Sequence, residues 1–172
     1  MKRTLSYILL ILAFFLIQNN VFAASSLIMT VPNLLLILVF SFGFIRGSLE
    51  GMLIGFVCGL LNDLFFGSII GFSTLLYTVL GYGMGLLGNL YYTDFVNMPL
   101  ILCLVSMLIY HLGTYVFAFL IPGRGGFGAY LTSVAFPELL YTGLLTLVLY
   151  PLLRRIESLI ERWELKRPKN YA

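Results

Sequence analysis

Residues 46–63 read RGSLEGMLIGFVCGLLND, and the spacing of the glycines in this stretch decides the fold. Gly47, Gly51, Gly55 and Gly59 recur every fourth residue, and the next step of four lands on Asp63, with Asn62 beside it. In a water-exposed helix each glycine would cost about 1 kcal/mol relative to Ala. In lipid, apolar burial gives helices little reason to associate, and a glycine groove lets a second backbone come close. The ladder therefore predicts a membrane helix with a tightly packed helical neighbour. The Asn-Asp pair at its end predicts a polar feature near one membrane face.

The rest of the chain agrees with a bilayer setting. Of 172 residues, 60% are hydrophobic and 10% charged, and mean hydropathy is +1.02. Soluble domains carry about 25% charged residues, so this chain lacks the means to cover a water-facing surface. Cys58 and Cys103 both fall in apolar runs, at a spacing that suggests neither a metal site nor a disulfide framework. Near the start, Lys2 and Arg3 precede an apolar run, and Val21-Phe22-Ala23 resembles a signal-peptidase site. That run is long enough to remain as an anchor, and five further spans follow; it is read here as the first span.

A spanning helix needs about 20 mostly apolar residues. Six such runs are predicted, at 4–24, 28–45, 49–66, 69–89, 99–121 and 130–152. Only Gly67-Ser68 separates the third from the fourth, so those two form a tight helical hairpin. Val31-Pro32-Asn33 opens the second, where proline is tolerated in a first turn. The expected organisation is an all-α, six-span transmembrane domain, residues 1–153, followed by a cytoplasmic amphipathic tail, residues 154–172. In that tail Leu152, Ile156, Leu159, Ile160 and Trp163 share one helical face, while Arg155, Glu157, Glu161, Arg162 and Lys166 fall elsewhere. The pattern suits an interfacial helix. With both termini inside, nine basic residues are cytoplasmic and only Arg124 is outside, which fixes the expected orientation.

Folding the spans on that topology gathers polar side chains in the outer half. Gln18, Asn33, Asn62, Asp63 and Glu138 all fall there, and ionisable groups inside spans suggest function. They are the candidate residues for a partner or a cavity, and substitution of Asp63 or Glu138 is expected to weaken association before folding. Arg46 and Glu50 sit at the inner turn between the second and third spans, each with the sign the helix dipole favours. Gly47, Gly51, Gly55, Gly59, Gly81 and Gly85 are the candidate packing positions. No catalytic residue is assigned. His111 is the only histidine, and a metal site would need more ligands near it. No phosphate-binding or dinucleotide loop is present, so no cofactor and no metal are expected.

The run Pro32-Asn33-Leu34-Leu35-Leu36, then Arg46-Gly47, then Gly51-x-x-x-Gly55-Phe56-x-x-Gly59-Leu60-Leu61-x-Asp63, then Gly71-Phe72 and Tyr77 leading to Gly81-Tyr82, resembles the rod shape-determining MreD family. The resemblance covers roughly residues 30–90. The family often carries an acidic residue after the proline of the second helix, where this chain has Asn33. The resemblance implies a non-enzymatic component of the bacterial cytoplasmic membrane, working in the machinery that builds lateral cell wall. It implies association with MreC and, through the complex, with MreB, the RodA glycosyltransferase and a class B penicillin-binding protein. It also implies a fold similar to the substrate-binding subunits of energy-coupling-factor transporters. The expected surroundings are lipid bilayer and protein partners, not nucleic acid. The competing reading is a membrane subunit that binds a small, vitamin-like molecule for a transporter. A third reading, a lipid-intermediate transporter or enzyme, needs more outer charge than Arg124 alone supplies.

Overall fold

The computed structural model describes residues 2–22, 31–67, 70–90, 98–117 and 127–165. The described residues form an all-helical bundle. Helix α1, Lys2–Leu16, widens into a π-helical turn at Ile17–Phe22. Then come α2, Leu34–Arg46, α3, Ser48–Phe66, α4, Phe72–Leu90, and α5, Met98–Tyr115. The sixth helical stretch opens with α6, Phe127–Tyr130, passes through a π-helical turn at Leu131–Ala135, and continues as α7, Phe136–Leu165.

The α3–α4 connection is longer than the expected Gly67-Ser68, because α4 begins at Phe72 and not at 69, and two other boundaries differ more from the sequence reading. Helix α2 begins at Leu34, not at 28, and Pro32 precedes the Asn33 cap instead of sitting in the first turn. Asn33 wins because its side chain accepts from the Leu36 N–H, the usual N-cap bond. At the other end, α7 runs unbroken through Pro151 to Leu165. The expected tail boundary at 153 and 154 thus falls within one helix. Trp163, Arg124 and the residues beyond 165 lie outside the side chains described.

Helix α2 is the centre of the bundle. Every residue from Leu34 to Gly43 is buried. Around it, Ile11, Phe14 and Phe15 of α1, Ile54 and Cys58 of α3, Tyr77, Leu80 and Met84 of α4, Leu102, Cys103 and Met107 of α5 and Leu153 of α7 complete the core. The other helices turn large apolar side chains outward: Leu9 and Leu12, Leu53 and Phe56, Leu75 and Val79, Leu108 and Leu112, Leu144 and Val148. Exposed apolar surface on this scale needs an apolar solvent. Ser48–Phe66 and Phe127–Ile160 are each long and apolar enough to cross a membrane, alongside shorter apolar helices.

The glycine ladder sets the tightest pairing, α3 against α4. A methyl group built on Gly55 would strike the Tyr77 backbone carbonyl, and one on Gly59 the backbone of Ser73 and Thr74. Gly51 and Gly81 face each other backbone to backbone, with Gly43 of α2 against the same point. Gly85 lies against the backbone at Ser48 and Gly88 against that of Phe44. Gly47 has a different task. It turns the chain between α2 and α3 with φ +97°, a conformation that L side chains rarely adopt.

Candidate functional site

Short as it is, α2 spans about 20 Å at 1.5 Å per residue, against a hydrocarbon core of about 30 Å. Its N-terminus therefore starts inside the bundle, where each opening N–H needs a protein partner. All are supplied. Asn33 N–H donates to Thr142 Oγ1 at 3.1 Å, and Leu34 N–H to the Pro32 carbonyl at 3.1 Å. Leu35 N–H donates to Gln18 Oε1 at 3.1 Å and Leu36 N–H to Asn33 Oδ1 at 3.0 Å. The Tyr77 hydroxyl adds a 2.9 Å bond to Asn33 Oδ1. Gln18 and Asn33, candidates from sequence, thus meet at the start of the central helix.

Asp63 is buried at the start of α4. Its carboxylate accepts from the N–H groups of Gly71 (2.9 Å), Ser73 (3.0 Å) and Thr74 (2.8 Å), and from the Thr74 hydroxyl (2.6 Å). A negative charge there also suits the positive end of the helix dipole. Asn62 donates to Ser73 Oγ at 3.1 Å across the same hairpin. Asn62 and Asp63 thus join α3 to α4, apart from the Gln18–Asn33 group.

Glu138 opens α7 next to the π-helical turn. The Asn33 side chain is close to its carboxylate, and His111 Nε2 stands 3.8 Å from Oε2. The other ring nitrogen of His111 shares a 3.0 Å hydrogen bond with the Tyr130 hydroxyl. Four residues on, Thr142 bonds to Asn33, and Thr146 donates to Cys103 Sγ at 3.3 Å. Glu138, Thr142 and Thr146 form a polar stripe that fixes α7 to α2 and α5.

The opposite end holds a charged group. Arg46, at the end of α2, pairs with Glu157 of α7, and Tyr7 of α1 donates to the same carboxylate at 3.2 Å. Glu50 stands close enough for its charge to act on both.

With the arrangement in view, the comparison with known families is decisive. Residues 1–157 match the profile of the rod shape-determining protein MreD. The chain belongs to the MreD family. It is thereby a rod shape-determining, multi-pass membrane protein of the cell elongation machinery, and the family is non-enzymatic. No curated protein and no solved structure matches it.

Sequence reasoning missed several members of these groups. Thr142 and Thr146 were legible as steps of four from Glu138. Tyr7 and Glu157, 150 residues apart, carry no such signal, and neither does the meeting of His111 with Glu138. Among the described residues no three His, Cys, Asp or Glu side chains gather as a metal site.

Proposed function

We propose that this MreD-family protein acts by holding partners in fixed relative positions within the elongation machinery. One observation supports the reading above others: the polar residues of the bundle serve as joints. Asp63 ties α4 to α3, Asn33, Gln18 and Thr142 tie α2 to α1 and α7, and Glu157 ties α7 to α2 and α1. A body stiffened in this way at both ends suits a scaffold better than a turnover enzyme.

The finer reading goes beyond family membership and is proposed with it. The direct partner is MreC; MreB, RodA and a class B penicillin-binding protein are reached through the complex. Both termini lie in the cytoplasm, which puts the Arg46–Glu157 group inside and the Glu138–His111 group outside. The helices follow the arrangement of the substrate-binding subunits of energy-coupling-factor transporters. Residues 154–172 form the part that meets the inner membrane surface.

Depletion of the protein in its rod-shaped host tests the reading. Rounded or widened cells, with MreC recovered alongside the tagged protein from native membranes, are expected. Unchanged shape with loss of vitamin uptake would replace the scaffold by a transporter subunit.

A further inference from the structure

The buried carboxylates of this chain are provided for very unequally. Asp63 accepts bonds from three backbone N–H groups and a hydroxyl. Glu157 has Arg46 and Tyr7. Glu138, only 9% exposed, has the Asn33 side chain nearby and a histidine 3.8 Å away, too far for a hydrogen bond. Among the described residues no Lys or Arg pairs with it. A charge left in that state inside a membrane bundle is costly.

His111 is incomplete in the matching way. Its Nδ1 is engaged by Tyr130, while Nε2, on a side chain 7% exposed, has no hydrogen-bond partner and stands across the gap from Glu138. Aromatic rings pack around His111: Tyr110 and Tyr130 stand 5.5 and 6.0 Å from it between centroids, and Tyr77 stands 5.6 Å from Tyr110. A carboxylate close to aromatic rings is the chemistry that takes an ammonium or guanidinium group. The π-helical turn at Leu131–Ala135 lies one turn before Glu138, and such widened turns recur at functional sites.

We propose that Glu138 and His111 form a docking site for an organic cation, the basic side chain of a membrane-embedded segment of a partner protein. The proposal deepens the scaffold reading and rests on it. The bilayer is the side of approach: Leu131 and Val134, one to two turns before Glu138, are exposed and apolar, as are Phe136 and Leu140 on the outer face of the same helix. A partner helix reaches such a place by lateral association, bringing its cation with it. Docking gives the carboxylate its missing counter-charge.

Photocrosslinking in living cells tests this. A benzophenone amino acid at Leu131 of the full chain is expected to yield an adduct with a partner peptide that carries Lys or Arg within an apolar run. Glu138→Gln keeps the side-chain volume and removes the charge, so the adduct falls at least about tenfold, as for truncation of a buried charge pair. Glu138→Asp, which keeps the charge, retains most of it. The melting temperature of the purified Gln variant reports whether the fold survives. If it does not, the Asp variant decides: adduct retained supports the site, adduct lost overturns it. An adduct unchanged in Glu138→Gln, or one with a peptide lacking basic residues, also overturns it. So does a free amine or an aminophospholipid released in stoichiometric amount from the purified protein and lost in Glu138→Gln. Depletion that leaves cell shape intact removes the scaffold reading itself, whereas rounded cells with a charge-independent adduct remove only the docking site.

Discussion

Asp63 shows how much one side chain can carry. The sequence placed it at the polar end of the glycine ladder and suggested a surface for a partner. The structure engages both its oxygens with the first turn of α4. Its signal was legible, because Ser73 and Thr74 open the next helix, but a lone sequence does not say whether an aspartate near a helix end faces a partner or the next helix. Asp63→Ala leaves three N–H groups and a hydroxyl without their acceptor, at a cost of about 2–4 kcal/mol. Thermal unfolding in detergent should show a lower midpoint, with loss of fold preceding any specific loss of association. A variant with normal stability that no longer binds partners would restore the surface reading. Tyr77→Phe is a gentler case. Asn33 Oδ1 keeps its bond from Leu36 and loses only the Tyr77 hydroxyl, so destabilisation of about 1 kcal/mol is expected in the same assay.

At the scale of elements, the α3–α4 hairpin was the most legible part of the fold. Its period of four needs no tertiary information, because small residues in lipid have one main use, close approach. Gly55→Ala is therefore expected to destabilise the bundle strongly, since the new methyl would meet the Tyr77 carbonyl. Gly83→Ala, on α4 where an added methyl meets nothing within 4 Å, is expected to be neutral or to stabilise by up to about 1 kcal/mol through helix propensity. Equal midpoints for the two variants would remove the groove. The sixth helical stretch was less legible. Its C-terminal part read as an amphipathic tail with Glu157 on the polar side, a pattern that takes water for the surroundings of polar residues. Within a membrane bundle polarity turns inward, and Glu157 is buried beside Leu153 while Leu152 and Leu159 face out. Glu157→Arg is expected to loosen α7 and lower the melting midpoint. Combined with Arg46→Glu, it should recover part of the loss. Additive effects of the two substitutions would show that the pair does not couple.

Taken as a whole molecule, the bundle has chemically distinct ends, and the proposed orientation rests on charge. Six of the ten basic residues come after position 153, and three more are Lys2, Arg3 and Arg46. Arg46 is tied to Glu157, so the end of α2, the start of α1 and the C-terminal part of α7 share one end of the bundle. Basic residues are retained on the cytoplasmic side during insertion, and this geometry couples three of the helices: reversing α1 alone would separate Tyr7 from Glu157, reversing α2 alone would separate Arg46 from it, and reversing α7 alone would break both contacts. A reporter fused after Ala172 should therefore read as cytoplasmic, and one inserted within 123–128 as external. Removing Lys2 and Arg3 alone should leave both signals unchanged, because seven of the nine basic residues assigned to the inside would remain. An external signal at Ala172 in the unaltered chain would overturn the topology. It would also place Glu138 and His111 on the cytoplasmic side, so their partner segment would have to be sought there.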